Sequence, residues 1–218
     1  MRIFFMVETS MRRTPQRLGA KQRVEAILDA AETRFAEQGY ESVTTNAIAA
    51  AAHVPIGSVY QYFPNKEAIL AAVAARYREG LLAIYDRLHQ EAAQQPIVAL
   101  VADWVDSVVV FGSRRMGFTR IMLGAGESPT LAAAANALEQ EITAHATALL
   151  GVLLPHLSPL EQEVRARVCL AALHAVLGLA LRLKGEAGEA VGWAIIEQAK
   201  PLLIAYLSAE VARQNASG

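Results

Sequence analysis

Between residues 44 and 63 the chain holds two short stretches with helical spacing, joined by a tight turn. The first places Ala47, Ile48 and Ala51 on a small apolar face, the spacing of an amphipathic helix. Thr44 precedes it, and its hydroxyl is suited to accept from the orphan N–H groups of a first helical turn. His53-Val54-Pro55-Ile56-Gly57 makes the turn. Proline fits there because the first helical N–H has no intrahelical partner to lose. The second stretch runs over about 56–63, and Pro64-Asn65 ends it. Val59 and Phe63, four apart, are expected to face a small core with the preceding helix and its Phe35.

The rest of the chain reads as longer helices. One spans about 21–38, with Val24, Ile27, Leu28, Ala31 and Phe35 on one face and Gly39 as its stop. Another starts at Lys66, capped by Asn65, and runs towards His89 with Ile69, Leu70, Val73 and Tyr77 inward. After Pro96 a strongly amphipathic helix carries Leu100, Val101, Trp104, Val105 and Val108. A short segment near 114–125 follows. Ser128-Pro129 opens a helix to about 154. Ser158-Pro159-Leu160-Glu161 is a capping box opening one to about 183. Gly185 and Gly188 are expected to separate it from a last helix near 190–212, in which Pro201 predicts a kink or break. With no strand pattern, the expected fold is all-α. The expected division is a flexible basic tail (1–20, with Met11 as an alternative start), a helix-turn-helix domain (21–66) and a helical body (67–218).

Composition agrees: 54% hydrophobic and 19% charged residues favour a packed helical chain over a disordered one. The single Cys169 sits among apolar residues and reads as a buried thiol. The apolar stretch 168–181 contains a histidine and is too short to favour a membrane span, so the chain reads as soluble and cytoplasmic, with no membrane partner. Net charge is −1, but residues 1–66 hold eight Lys/Arg against six Asp/Glu, and the remainder twelve against fifteen. That asymmetry suits a positive end facing phosphate.

Two short helices around a tight turn suit DNA reading, because the major groove admits one helix while the other holds it against the backbone. The inserted helix would be 57–63, starting on small residues. Its Ser58, Gln61 and Tyr62 are expected outward, and Gln61 can pair with adenine or bond phosphate. Tyr60 and Tyr62 have hydroxyls that reach phosphate, with one of the two alternatively in the core. Thr44, Thr45 and Lys66 sit at helix starts, where phosphate clamping is reasonable. A helical hairpin with no nucleic-acid role is the alternative.

Residues 24–70 closely resemble the N-terminal DNA-binding domain of the TetR/AcrR family of bacterial regulators. The resemblance rests on Ala31, Phe35, Gly39, Tyr40, Thr44-Thr45, Ile48-Ala49, Val54, Gly57, Tyr60, Phe63, Lys66-Glu67 and Leu70. It implies a dimeric regulator, more often a repressor, that binds a palindromic operator and is released by a small ligand held in the C-terminal body. By position it implies Thr45, Ser58, Tyr60, Tyr62 and Lys66 as the DNA-contacting set, with Gln61 near the surface. Two positions depart from the family pattern. His53 stands where glycine is common, implying a left-handed backbone. Pro55 stands where serine or threonine is common, removing a side-chain cap.

In the body, Trp104, Phe111, Met116, Phe118, Met122, His145 and His174 are candidates for an effector cavity, each with plain core packing as its alternative. So apolar a lining predicts a hydrophobic, neutral or weakly polar effector. His89, His145, His156 and His174 lack metal-ligand spacing. No nucleophile elbow or phosphate loop stands out, Asp103 and Asp106 read as a solvated face or cap, and neither catalysis nor a cofactor is expected. The last two helices, with Ala172, Ala175, Gly178, Gly192 and Ala194 among larger apolar residues, are expected to pair with symmetry mates in a four-helix homodimer interface. The alternative function is a helical binding or adaptor protein that keeps the fold without operator-specific repression.

Overall fold

A computed structural model describes residues 11, 18–115, 117–118, 129–180, 182–183 and 185–216. Among the described residues there are eight helices and no strand. They are α1 (Leu18–Gln38), α2 (Thr45–Ala51), α3 (Ile56–Tyr62), α4 (Lys66–Glu91), α5 (Ile97–Ser113), α6 (Pro129–Leu153), α7 (Pro159–Ala180) and α8 (Gly185–Ala216). The fold is all-α, as the periodicity predicts. No described helix is long and apolar enough to cross a membrane. The chain divides into two compact units, Met1–Glu79 with Arg115–Leu138, and Gly80–Arg114 with Glu139–Gly218.

In the first unit α1 buries Val24, Ile27, Leu28, Ala31 and Phe35, the predicted face. The helix starts at Leu18, so residues 18–20 are helical where a tail was expected. Gly19 disfavours a helix by only about 1 kcal/mol, which the apolar face of 21 residues offsets. Expectations for residues 1–10 and 12–17, including Arg12, Arg13 and Arg17, lie outside the described residues. Gly39 ends α1 with φ 81°, its N–H donating to the Phe35 carbonyl at 3.1 Å. Thr44 caps α2, its hydroxyl accepting from the Ala47 N–H at 3.1 Å. α2 packs on both α1 and α3. His53 takes the left-handed turn conformation, φ 54°, and Pro55 starts α3 with no side-chain cap. Asn65 caps α4 by accepting from the Ala68 N–H at 2.8 Å. From α4, Ile69, Leu70, Val73 and Tyr77 complete the core. Tyr77 meets Phe118 edge to face, ring centroids 5.4 Å apart. Arg115 pairs at 3.6 Å with the buried Glu32 of α1.

In the second unit the end of α4 buries Leu81, Tyr85 and Leu88. A side chain on Gly80 would place its Cβ 2.2 Å from a Phe111 ring carbon, so glycine admits that ring. α5 buries Leu100, Val101, Trp104, Val105, Val108 and Val109. Its two aspartates belong to ion pairs. Asp103 bonds Arg87 and accepts from the Ser107 hydroxyl, and Asp106 meets Lys200 of α8 at 2.6 Å. The Arg87 hydrogen bond holds the Asp103 carboxyl below the usual carboxylate range. The capping box forms: Ser158 N–H and hydroxyl reach Glu161 Oε2 at 2.8 and 2.7 Å. α8 packs on α7 and α5.

Two expectations for this unit are corrected. α7 ends at Ala180 rather than near 183. Gly188 is inside α8 rather than between helices; one left-handed residue, Gly185 at φ 78°, suffices for the break. Pro201 does not break α8. The lost backbone bond costs about 3 kcal/mol, and burial of Ile196, Ala199, Leu203 and Leu207 on either side of it opposes that cost.

Candidate functional site

α3 has seven residues, so its faces divide sharply. Val59, Tyr62 and Phe63 lie at i, i+3 and i+4 and are all buried. The expectation that Tyr62 points outward is therefore corrected. Its ring is 3% exposed, because it shares the stripe that Val59 and Phe63 anchor. Tyr60 is the outward tyrosine, 43% exposed. Its hydroxyl lies 3.1 Å from that of Thr45, linking α3 to the first residue of α2. Gln61, Gly57 and Thr44 are exposed, while Ser58 and Thr45 are half-buried. A Cβ on Gly57 would meet nothing within 4 Å, so no contact inside the protein requires glycine there.

Lys66 is half-buried at the start of α4. Its ammonium donates to the Tyr40 carbonyl at 2.7 Å and to that of Glu41 at 3.2 Å. It also lies 4.3 Å from the Tyr40 ring centroid. The expected phosphate clamp thus also ties α4 to the loop after α1. The first unit brings together Thr44, Thr45, Ser58, Tyr60 and Gln61 around α2 and α3, with Lys66 anchored beside them and Tyr62 in the core.

The second unit contains a small cavity that is partly open to solvent. Tyr85 comes to it from α4, Trp104 from α5 and Cys169 from α7; its other described walls are Leu, Val and Ala side chains. No charged side chain lines it among the described residues. The Trp104 indole N–H donates to the Tyr85 hydroxyl at 3.0 Å. Burial pushes the Tyr85 hydroxyl well above its ordinary pKa and the Cys169 thiol up to about 11.

Of the expected cavity residues that are described, Trp104 alone lines this space. Phe111 packs against Gly80. Phe118 belongs to the first unit and packs on Tyr77. His145 is held by its own helix, Nδ1 lying 3.0 Å from the Glu141 carbonyl oxygen. His174 is half-buried, and burial lowers its pKa. Met116 and Met122 lie outside the described residues. The sequence reading missed Tyr85. Its signal was a polar hydroxyl in the otherwise apolar series Leu81, Tyr85, Leu88.

α7 and α8 also leave apolar residues in solvent. On α7, Leu160, Val164, Val168 and Leu179 are exposed, the first at 70%. On α8, Val191, Leu202 and Tyr206 are exposed, Leu202 at 72%. The larger apolar residues of these two helices therefore separate: Leu173, Leu177 and Leu203 are buried within the chain, and Val168, Val191 and Leu202 are not. Gly192 serves packing within the chain, since a Cβ there would lie 2.9 Å from the Ala180 carbonyl oxygen.

Comparison with known proteins places these features. Residues 27–73 match the family profile described as bacterial regulatory proteins, tetR family. Residues 96–207 match the profile described as tetracyclin repressor-like, C-terminal domain. The chain is 41% identical over 61 residues to the HTH-type transcriptional repressor KstR of Rhodococcus jostii, covering 28% of this chain and 29% of that protein. The matched stretch thus spans less than a third of that relative. A TetR-family transcriptional regulator from Streptomyces coelicolor superposes with TM-score 0.59 at 26% identity, over 86% of this chain and 98% of that one. GusR of Salmonella enterica shares the fold, with TM-score 0.66 at 20% identity over 89% and 100% of the two chains. One profile covers the helix-turn-helix and the other about half of the 218 residues, and the chain belongs to the TetR/AcrR family of helix-turn-helix transcriptional regulators.

Proposed function

We propose that the protein is a cytoplasmic, homodimeric, ligand-responsive repressor. It binds a palindromic operator through residues 21–66 and leaves it when a small, mainly hydrophobic effector enters the body, residues 67–218. The observation that carries this reading is the division of α3. Three large side chains are spent on the core, while Gly57, Tyr60 and Gln61 are left outward beside Thr44 and Thr45. Gly57, unexplained by internal packing, is the residue type that lets a helix approach a DNA backbone closely. Ser58 and Lys66 flank that face, and Tyr62 supports it from beneath. The Rhodococcus relative is a transcriptional repressor, which favours repression over activation.

Two recognition helices must be held together to read two half-sites about one helical turn apart. The exposed apolar residues of α7 and α8 supply the surface for that pairing, because a self-complementary apolar face is what a two-fold dimer buries. The test is selection of genomic fragments by the purified protein. Enrichment of a palindrome, lost on addition of a cavity ligand, is the expected result. Fragments bound with no sequence preference at any salt concentration would leave an adaptor with a regulator's fold.

A further inference from the structure

The lining of the second unit's cavity is almost wholly apolar, with one hydroxyl and one thiol. The Tyr85 hydroxyl accepts the Trp104 N–H. A phenol that accepts one bond still holds its own proton to donate, and that proton has no acceptor among the described residues. The rest of the described lining offers carbon and one thiol, and that thiol stays protonated.

We propose that the cavity takes an uncharged, largely apolar ligand bearing one hydrogen-bond acceptor, such as a ketone or an ester, and that the Tyr85 hydroxyl reads that acceptor. The inference rests on the cavity being the effector site. Several features narrow the ligand class. Among the described lining residues a carboxylate or phosphate meets no Lys, Arg or His, and an amine meets no carboxylate; an unpaired buried charge is strongly disfavoured. A plain hydrocarbon fits the walls but leaves the tyrosine proton unused. Trp104 sets the direction of the donor: by occupying a lone pair of the Tyr85 oxygen, it turns the hydroxyl proton towards another partner.

The chain has two tryptophans, Trp104 at the cavity and Trp193 largely in solvent. In a Trp193→Phe background, indole emission therefore reports on the cavity. Three probes of similar size are titrated: 4-phenyl-2-butanone, n-pentylbenzene and 4-phenylbutanoate at pH 8. The ketone and the hydrocarbon are expected to give saturable changes, and the carboxylate to bind at least tenfold more weakly than the ketone. Tyr85→Phe should weaken the ketone about fivefold, the loss of one hydrogen bond, and leave the hydrocarbon unchanged. Equal binding of ketone and carboxylate by the unsubstituted cavity overturns the proposal without any variant having to fold. So does a ketone affinity indifferent to Tyr85→Phe. Absence of saturable binding by all three probes overturns the effector cavity itself, whereas operator selection tests DNA binding separately.

Discussion

The two units treat apolar surface in opposite ways. In the first, Ile27, Phe35, Ile48, Val59, Phe63 and Tyr77 fill a core and are almost wholly buried. In the second, apolar side chains border an empty space, and others lie in solvent along α7 and α8. A filled core has found its partners within the chain. An open cavity and an exposed apolar face are the surfaces that the proposed function assigns to other molecules. The contrast separates what stabilises the fold from what operates it.

The largest effects should come from comparing the two interiors directly. Phe35→Ala in the filled core should cost about 3–5 kcal/mol of stability. Leu149→Ala, on the cavity wall, should cost nearer to about 2 kcal/mol, because one side of that leucine has no atoms to lose. Urea denaturation of both variants gives the comparison, and equal losses would erase the distinction.

Next in size is the exposed face. Leu202→Glu should weaken self-association by about 2 kcal/mol or more. The stability of the single chain should change by less than about 0.5 kcal/mol. Sedimentation at micromolar concentration checks it; an undiminished dimer would mean that α8 pairs elsewhere or not at all.

Lys66→Ala is smaller and has two readouts. Loss of the ammonium's bonds to the Tyr40 and Glu41 carbonyls should cost about 1 kcal/mol of stability. Loss of a phosphate contact should lower the salt slope of DNA binding by about 1. A stability loss with an unchanged slope assigns the lysine to tying α4 in place and nothing more.

The smallest effect concerns Asp103. Its folded pKa lies below the unfolded value because Arg87 bonds the charged form. The pair therefore stabilises fully above the unfolded carboxylate pKa of about 4, and the contribution is lost as pH falls through the folded value. Asp103→Asn should cost less than about 1 kcal/mol at pH 7, since the group is partly exposed. The difference from the parent should vanish in strong acid. A gap in thermal midpoint that persists there would point to lost packing instead.

The helix-turn-helix was legible because its signals are local. A cap at Thr44 and a stop at Gly39 each depend on a few neighbouring residues, whereas the left-handed turn at His53 was implied by the family resemblance. Tyr62 was misjudged because α3 has two aromatic positions beside its apolar stripe, and only the packed core says which ring is buried. The cavity was barely legible. Its wall draws on α4, α5, α6, α7 and α8, and no spacing along one helix reveals which faces converge. His145 and His174 stood out as chemistry on apolar helices, while Tyr85, an ordinary member of an apolar stripe, was passed over. Of the kink or break that Pro201 predicts, the break does not occur, because burial on either side of it opposes the local penalty.

Cys169 has a practical consequence. It is the single cysteine of the chain, and it is buried with its thiol pushed up to about 11, so little of the reactive thiolate forms at pH 7. Thiol reagents will largely pass it by. A cysteine introduced at an exposed position such as Gln61 could then be labelled almost alone, and in a two-fold assembly each such label has one twin. The separation of the two labels would be a ruler laid between the outward helices, readable with and without the ketone.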